Sequence, residues 1–170
     1  TTVEDPVEYQ IPGINQVQMH DKIGLNFSSS LRSILRQDPD VLLIGEIRDE
    51  NTAKKAIEAA YTGHFVLATL HSNTCENSLK RLSSLKQDPF LLGHALKGIL
   101  SQKLLPKPCK DCKAQGCEHC QFKGNLGREL NTELLHLKKG EKISTDTNFE
   151  KLCHNHDYYP FKNTAPKLAK

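Results

Sequence analysis

The chain has 170 residues, of which 37% are hydrophobic and 6% aromatic, and a formal net charge of +3 at pH 7. This length favours one domain with a sizeable core, and the charge is too small to argue by itself for binding to nucleic acid or to an acidic membrane. No apolar run approaches the roughly 20 residues that a membrane-spanning helix needs, and no leader precedes the first predicted strand, so we expect a soluble intracellular protein.

The first half of the chain shows a strand-helix-strand pattern. A helix is predicted over residues 28–36, because serines can cap its start and Asp38-Pro39 ends it. The apolar run at 41–44 predicts a buried strand, helical spacing of small apolar residues predicts a helix that ends at Gly63, and residues 65–70 predict a second strand. Such a pattern is typical of a parallel β-α-β unit, and residues 1–3 resemble the end of an earlier strand.

Acidic residues follow the predicted strands, at the edge where α/β proteins bind ligands. Glu46 comes after the first strand of the unit and His71 after the second, so both side chains should face one crevice. Several carboxylates in one crevice repel each other unless a cation lies among them, and Mg²⁺ suits carboxylates, water and phosphate together. A carboxylate there can orient a water for attack on a phosphoryl group, whereas each one taken alone could be a solvated loop charge. The set consists of Glu4, Asp5, Glu8, Glu46 and Asp49.

The positive charge that a phosphate site needs is less evident. A glycine-rich loop with a lysine usually supplies it, but none of the ten glycines is followed by lysine, so the chain contains no GxxxxGK[ST] loop. Arg32, Arg36 and Arg48 could supply part of this charge, or could equally lie on solvated faces or pair with nearby aspartates. The sequence thus predicts the acidic half of a nucleotide site without its basic half.

Two further helices are predicted after the second strand. Leucines at 79, 82 and 85 indicate the first, and Asp88-Pro89 provides a cap and a first-turn proline for the second. Leucines and isoleucines at helical spacing carry the second helix as far as Leu104. After Pro106 the composition changes to lysine, cysteine and glycine, and residues 138–170 are too weakly periodic to assign.

Four of the six cysteines lie within residues 109–120, in the spacing CxxC-x4-CxxC. Two such pairs give four thiolates, which suit tetrahedral Zn²⁺ with no open position and therefore a structural role. Redox-active thiols and disulfides are the alternatives. Cys75 and Cys153 stand apart and are expected to take no part in the site. The expected zinc ligands are Cys109, Cys112, Cys117 and Cys120.

Several stretches together are specific enough to indicate a family. They are TVEDPVEY at 2–9, LRSILRQDPD at 31–40, VLLIGEIRD at 41–49, TGH at 62–64 and LHSN at 70–73. They closely resemble the secretion ATPases, the hexameric motors of type II secretion and type IV pilus assembly, from Thr1 to about Leu105. The cysteines resemble the tetracysteine zinc element of the secretion and pilus-assembly branch.

The resemblance implies a RecA-like ATPase core and gives roles to the carboxylates. Glu4, Asp5 and Glu8 match the Asp box, which lies near Mg²⁺ and the reacting water. Gly45 and Glu46 match an atypical Walker B motif, in which Glu46 activates that water. Asp5 and Glu46 would hold Mg²⁺ through water.

The resemblance also gives roles to histidines and arginines. His64 and His71 match the His box, which faces the γ-phosphate of ATP and couples hydrolysis to domain movement. We therefore expect His71 to be catalytic and His64 to bind the nucleotide. The other expected nucleotide-binding residues are Arg32, Arg36, Arg48 and Asp49.

The predicted fold is α/β: the C-terminal part of a RecA-like parallel-sheet ATPase core, followed by a helical segment and a small zinc-binding knuckle. The core would span residues 1–105 and the tetracysteine element 106–128, with a helical or irregular tail at 129–170. The family places a Walker A loop before the Asp box. Its absence and the abrupt start at Thr1 lead us to expect the C-terminal portion of a longer motor, inactive in isolation.

The implied cofactors are ATP, Mg²⁺ and structural Zn²⁺. The longer protein would be a cytoplasmic hexamer at the inner membrane that works with a membrane platform protein and a cytoplasmic assembly protein, and no nucleic acid is expected. One alternative is a non-catalytic zinc module that binds protein or nucleic acid through its lysines. Another is a degenerate motor retained for interaction only.

Overall fold

The computed structural model describes residues 1–138 and 142–161, which form two β-sheets with helices packed against them. The strands are β1 (Thr2–Glu4), β2 (Gln16–Gln18), β3 (Val41–Ile44), β4 (Phe65–Ala68), β5 (Gly98–Pro108), β6 (Asn125–His136) and β7 (Asp157–Tyr159). The helices are α1 (Phe27–Ile34), α2 (Glu50–Tyr61), α3 (Cys75–Ser84), α4 (Pro89–Ala95) and α5 (Phe149–Asn155).

The first sheet is parallel and has the strand order β2-β1-β3-β4. Its register places Val3 beside Ile44 and Leu42 beside Val66. Helix α2 is the crossover that returns the chain from β3 to β4, as a parallel connection requires. The parallel α/β core predicted from the sequence is therefore confirmed.

The hydrophobic core of this sheet lies between the strands and helices α1 and α2. The apolar side chains come from positions that alternate along the strands and recur at helical spacing along the helices, so one face of each element is buried. The core includes Val3, Leu31, Ile34, Leu42, Ile44, Ala53 and Ala56.

The two helices beside the sheet begin at polar caps. In α1 the side chain of Asn26 accepts a hydrogen bond from Ser29 N, and the Ser29 hydroxyl accepts one from Asn26 N. A 3-10 turn over Leu35–Gln37 follows α1, so the predicted helix at 28–36 is present but begins and ends earlier. In α2 the Asp49 carboxylate accepts a hydrogen bond from Thr52 N at 2.9 Å, which satisfies a donor that the helix itself leaves unpaired.

The second sheet is antiparallel, in the order β5-β6-β7, and β5 and β6 form a long hairpin that carries the cysteines at its turn. The prediction that one helix continues from Pro89 to Leu104 is wrong. Helix α4 ends at Ala95, and Gly98 begins β5.

The leucine spacing led to the wrong prediction because it fits a helix and also a strand with one buried face. In the structure Ile99 and Ser101 are buried, whereas Leu100 and Leu104 are more than half exposed. Pairing with β6, which lies far along the chain, decides between the two structures. The helical or irregular structure expected after residue 128 is also incorrect at its start, where β6 runs to His136.

A second hydrophobic cluster joins the helices α3, α4 and α5 to this antiparallel sheet. Its buried members include Leu79, Leu82, Leu92, Ile99, Leu135 and Leu152. Among the described residues, no helix is both long enough and apolar enough to cross a membrane.

We expect the substitution Leu42→Ala to lower the free energy of unfolding by about 2–5 kcal/mol, because it empties a fully buried position in β3. Val41→Ala is the matched control: the neighbouring side chain is 47% exposed, and its loss should cost less than about 1 kcal/mol. Urea denaturation measures both values. Equal losses would contradict the placement of Leu42 in the core.

Candidate functional site

Three parallel strands deliver their following residues to one edge of the first sheet. Gly45 N donates to Val3 O at 2.7 Å, and Ile47 N donates to Thr69 O at 3.0 Å, so the segment after β3 is bonded to the end of β1 on one side and to the segment after β4 on the other. Gly45 is required by this close approach, since a Cβ there would lie 3.0 Å from Val3 O and 3.2 Å from the Cα of Glu4. The absence of a side chain lets β3 carry Glu46 directly beside the end of β1.

Glu46 is the centre of this edge, and both of its carboxylate oxygens are engaged. Its side chain is only 12% exposed; Oε1 accepts a hydrogen bond from the Arg48 guanidinium, and Oε2 lies 3.0 Å from His71 Nε2. The hydrogen bond from Arg48 is the main cause that holds the pKa of Glu46 below its ordinary value of 4.5. Burial opposes this effect, and the charges of Arg48 and His71 lower the pKa further. Glu46 is therefore an ionised carboxylate at neutral pH, and the predicted proximity of Glu46 and His71 is confirmed.

Arg48 bridges two of the predicted site carboxylates. Besides Glu46 it pairs with Asp5, with 3.5 Å between Nη1 and Oδ2. Its backbone carbonyl accepts a hydrogen bond from Arg81 Nη2 at 3.0 Å, so α3 holds the segment that carries Arg48. The repulsion between the carboxylates is thus offset in this state by a guanidinium.

Arg81 was not predicted as a site residue. It lies on the solvent side of a helix, and no local pattern in the sequence distinguishes it from any other exposed arginine. Only the folded structure brings it to the Glu46 segment.

A cleft of about 510 Å³ opens beside this edge, between the start of α1 and the start of α2. Acidic and basic side chains both line it, and the arginines give it part of the positive charge that the sequence left uncertain. A volume of this order is in the range of small-molecule sites. The charged and polar residues that line it are Asp5, Asn26, Ser28, Ser29, Arg32, Arg48, Asp49, Asn51 and Thr52.

Glu4 lies at the same edge but is held by the neighbouring strand. Its Oε1 accepts hydrogen bonds from the Thr2 hydroxyl and from Gln16 Nε2, and these bonds, with that from Thr2 the larger, lower the pKa of Glu4. Asp49 lines the cleft while its carboxylate caps α2. Both carboxylates already accept hydrogen bonds from protein donors, and of the two only Asp49 lines the cleft.

Six of the ten residues predicted for the nucleotide site do not line the cleft. Glu4, Glu46 and His71 lie at the adjoining edge of the sheet, and the other three lie elsewhere. His64 precedes β4, at the opposite end of the strand from His71, and its Nδ1 lies 3.0 Å from Ala59 O. Arg36 is in the 3-10 turn after α1, and Glu8 lies on the exposed loop after β1. Of the predicted residues, only Asp5, Arg32, Arg48 and Asp49 line the cleft, and roles for His64, Arg36 and Glu8 stay predictions.

The four clustered cysteines meet at the turn of the β5–β6 hairpin, and their sulfur atoms all lie within 4.8 Å of one another. The Sγ–Sγ distances are 3.9 Å for Cys109 and Cys117 and 3.8 Å for Cys112 and Cys120. Tetrahedral thiolates with metal bonds of about 2.3 Å are separated by about 3.8 Å, and a disulfide by about 2.05 Å. The donor set and its spacing therefore fit a tetrahedral metal, and the predicted cysteine cluster is confirmed.

Backbone donors surround the sulfurs as they do in a site for anionic thiolates. Gly116 N lies 3.2 Å from Cys112 Sγ, and Cys117 N lies 3.2 Å from Cys120 Sγ. The hydrogen bond from Cys117 N lowers the pKa of the Cys120 thiol to about 6. Gly124 closes the turn, since a Cβ at its φ of +69° would lie 2.4 Å from the Ala114 carbonyl oxygen.

The comparisons with known proteins agree on one family. A family model described as type II/IV secretion system protein matches residues 1–165. The type IV pilus assembly ATPase PilB of Thermus thermophilus is 44% identical over 161 residues, which cover 79% of this chain and 18% of PilB. The type II secretion system protein HxcR of Pseudomonas aeruginosa is 46% identical over 135 residues, which cover 75% of this chain and 29% of HxcR. The chain spans less than a third of the length of either relative.

The fold has a counterpart among solved structures. The pilus retraction motor PilT, solved with bound ADP, matches with a TM-score of 0.64 and 34% identity, over 81% of this chain and 38% of PilT. The α/β fold of this chain is therefore shared with a solved structure.

We expect the Glu46 carboxyl group to titrate below 4.5, and Arg48→Met to raise its pKa because the strongest stabilising hydrogen bond is lost. Since the pKa is lowered by folding, the pairing stabilises the fold above pH 4.5, and this contribution disappears as the pH falls through the lowered value. Carbon-detected NMR titration of the carboxyl group measures the shift. His71→Ala should raise the pKa less than Arg48→Met, and an unchanged pKa in the Arg48 variant would refute the assigned cause.

Proposed function

The chain belongs to the family of type II/IV secretion system proteins, and we propose that it forms part of the hydrolysis site of an ATPase that powers type II secretion or type IV pilus assembly. The observation that carries this proposal is the ionised Glu46 at the end of β3, with Asp5 and His71 beside it and an arginine-lined cleft next to it. Because the chain covers a minor part of its relatives, the activity is proposed for the longer protein.

Glu46 is proposed to act as the base that orients and activates the attacking water. An ionised carboxylate on a buried strand can hold a water rigidly and accept its proton as the phosphoryl bond breaks. His71, which is 88% exposed and 3.0 Å from Glu46, can turn its other ring nitrogen toward a phosphate oxygen. The pair would align the water with the phosphoryl group.

Arg48 is proposed to change partners when nucleotide enters. Its side chain is 58% exposed, and its guanidinium is held by Glu46 and Asp5. Phosphate oxygens offer the guanidinium a bidentate partner that is negatively charged, as the carboxylates are. Moving Arg48 to the phosphates would free the Glu46 carboxylate for water. Arg32 lines the same cleft and would supply further positive charge to the nucleotide.

Asp5 and Glu46 are proposed to hold Mg²⁺ through water molecules. Carboxylates, water and phosphate are ligands that suit this ion, and it would neutralise charge on the transferred phosphoryl group. Glu4, Glu8, Asp49, His64 and Arg36 keep the supporting roles that the family resemblance implies. The phosphate-binding loop would come from the part of the motor that the resemblance places before Thr1.

The cysteine cluster is proposed to bind one structural Zn²⁺. Four thiolates leave no open position for substrate, and the site closes the turn of the β5–β6 hairpin. The assembled protein is proposed to be a cytoplasmic hexamer at the inner membrane, with a platform protein and a cytoplasmic assembly protein as partners. No nucleic acid partner is proposed.

In the full-length protein, we expect Glu46→Gln to abolish ATP hydrolysis and to leave ATP binding largely intact. Glutamine keeps the size of the side chain but cannot accept the proton of the water. Phosphate release measures hydrolysis, and binding of a fluorescent ATP analogue measures affinity. Glu50→Gln, at the exposed first turn of α2, is the control and should hydrolyse ATP at the wild-type rate. Undiminished hydrolysis by the Glu46 variant would refute its assignment.

Metal analysis of the reduced protein should give one Zn per chain. Cys112→Ser should lower this content and the melting temperature, because the loss of one thiolate weakens a site that stabilises the folded hairpin. Cys153→Ser removes a cysteine from outside the cluster and should leave the metal content unchanged. A wild-type content well below one Zn per chain would argue against the site.

A further inference from the structure

Glu133 lies in β6 and is buried, with only 4% of its surface exposed, which is unusual for an acidic residue. Its Oε2 accepts a hydrogen bond from the backbone N–H of Cys75 at 2.7 Å, and its Oε1 accepts one from the Tyr158 hydroxyl at 2.6 Å. Burying a carboxyl group is costly unless its oxygens receive hydrogen bonds, and both oxygens of Glu133 receive one.

The Cys75 N–H belongs to the first turn of α3, where a helix has donors without partners of its own. Thr74 caps the helix and its hydroxyl takes the N–H of Asn77 at 3.1 Å. Glu133 accepts a hydrogen bond from the Cys75 N–H, which the Thr74 cap leaves without a partner. An acidic side chain is also favoured there, because the N-terminus is the positive end of the helix dipole. The start of α3 is therefore fixed to β6 by a side chain rather than by the cap alone.

The start of α3 is also fixed to β5. The Cys75 thiol donates to Ile99 O at 3.2 Å, and burial raises the pKa of this thiol, so it keeps its proton at neutral pH. Cys75 of α3 is thus hydrogen-bonded to both strands of the cysteine-bearing hairpin, to β6 through its N–H and to β5 through its thiol. At the other end of the hairpin, Cys109 N donates to Gly124 O at 2.8 Å, within the turn that holds the four clustered cysteines.

Cys75 stands four residues after His71, and a short bent segment connects them. Within that segment the Ser72 hydroxyl donates to Thr74 O at 3.2 Å, which limits the freedom of the backbone between His71 and Cys75. A displacement of the α3 start would therefore move His71 away from Glu46. Misplacement of a catalytic group by about 1 Å can cost about 100-fold in rate.

We propose that Glu133 is a positioning residue through which the cysteine-bearing sheet holds His71 opposite Glu46. The inference rests on the proposed function, because it assigns the control of His71 in that hydrolysis site. Movement of the β5–β6 hairpin is transmitted to His71 through the Glu133–Cys75 hydrogen bond. Glu133 itself does not touch the nucleotide in this assignment.

The test compares variants of the full-length protein in steady-state ATP hydrolysis. Glu133→Ala should lower kcat roughly 10- to 100-fold and change the KM for ATP by less than about twofold, because geometry is lost and nucleotide contacts are kept. Glu133→Gln should recover most of the rate, since its amide oxygen can accept from Cys75 N–H and its amide nitrogen can donate to Tyr158. Tyr158→Phe should lower kcat less than Glu133→Ala does, since the Cys75 bond remains.

Glu129→Ala is the matched control, since it removes the same side chain type four residues earlier on β6, and it should keep the wild-type kcat. Hydrogen exchange of the amides at 71–75 gives a second reading, and should accelerate in Glu133→Ala but not in Glu129→Ala. If Glu133→Ala does not fold, the Gln and Phe variants carry the test, and Tyr158→Phe must still lower kcat.

The results separate this inference from the proposed function. Wild-type hydrolysis together with an unaltered kcat in folded Glu133→Ala would overturn the positioning role and leave the proposed function standing. A rise in KM without a fall in kcat would overturn it equally. A full-length wild type that does not hydrolyse ATP would overturn the proposed function, and the positioning role with it.

Discussion

The pairing of β3 with both β1 and β4 is the constraint on which the rest of this structure depends. Because the three strands are parallel, the segments that follow them all begin at the same edge of the sheet, where the strands have their carboxyl ends. Backbone bonds from Gly45 to Val3 and from Ile47 to Thr69 then set the spacing of those segments. Glu46, Asp5 and His71 are neighbours for this reason, although they are far apart along the chain.

The strand pairing brings carboxylates close enough to repel each other, and a neighbouring arginine offsets this repulsion. Two carboxylates are brought to one edge, and Arg48 lies between them. Ion pairs made by an exposed arginine can be broken reversibly, because water and any anion that enters the cleft compete for the guanidinium. A buried lysine or a permanent hydrogen-bond network would have stabilised the same carboxylates without leaving them available.

Local periodicity was sufficient to predict the parts of the fold whose partners are close in sequence. The strands at 41–44 and 65–70 and the helix between them followed from apolar spacing. The meeting of Glu46 with His71 followed from the common direction of two parallel strands, whose following loops open on the same edge of the sheet. The β5–β6 hairpin could not be found in this way. Leu100 and Leu104 fit a helix as well as a strand, and only their pairing with Leu134 and Leu130 settles the choice.

The site was predicted unevenly for a related reason. Motif resemblance grouped His64 with His71, although the strand predicted at 65–70 lies between them and places the two histidines at opposite ends of β4. Glu133 left no signal at all, since an acidic residue in an alternating strand is expected on the solvent face. Its burial depends on a helix start and a tyrosine contributed by other parts of the chain.

The contrast between the two sheets has a consequence for the order of folding. The β5–β6 hairpin can pair residue by residue outward from its turn, where Pro108 meets Asn125, whereas the pairing of β1 with β3 must bring Val3 beside Ile44 across the whole intervening chain. Loop-closure entropy delays such non-local pairing. The hairpin and its cysteines can therefore assemble first, and would present a preformed surface on which α3, and then the sheet that carries Glu46, condenses.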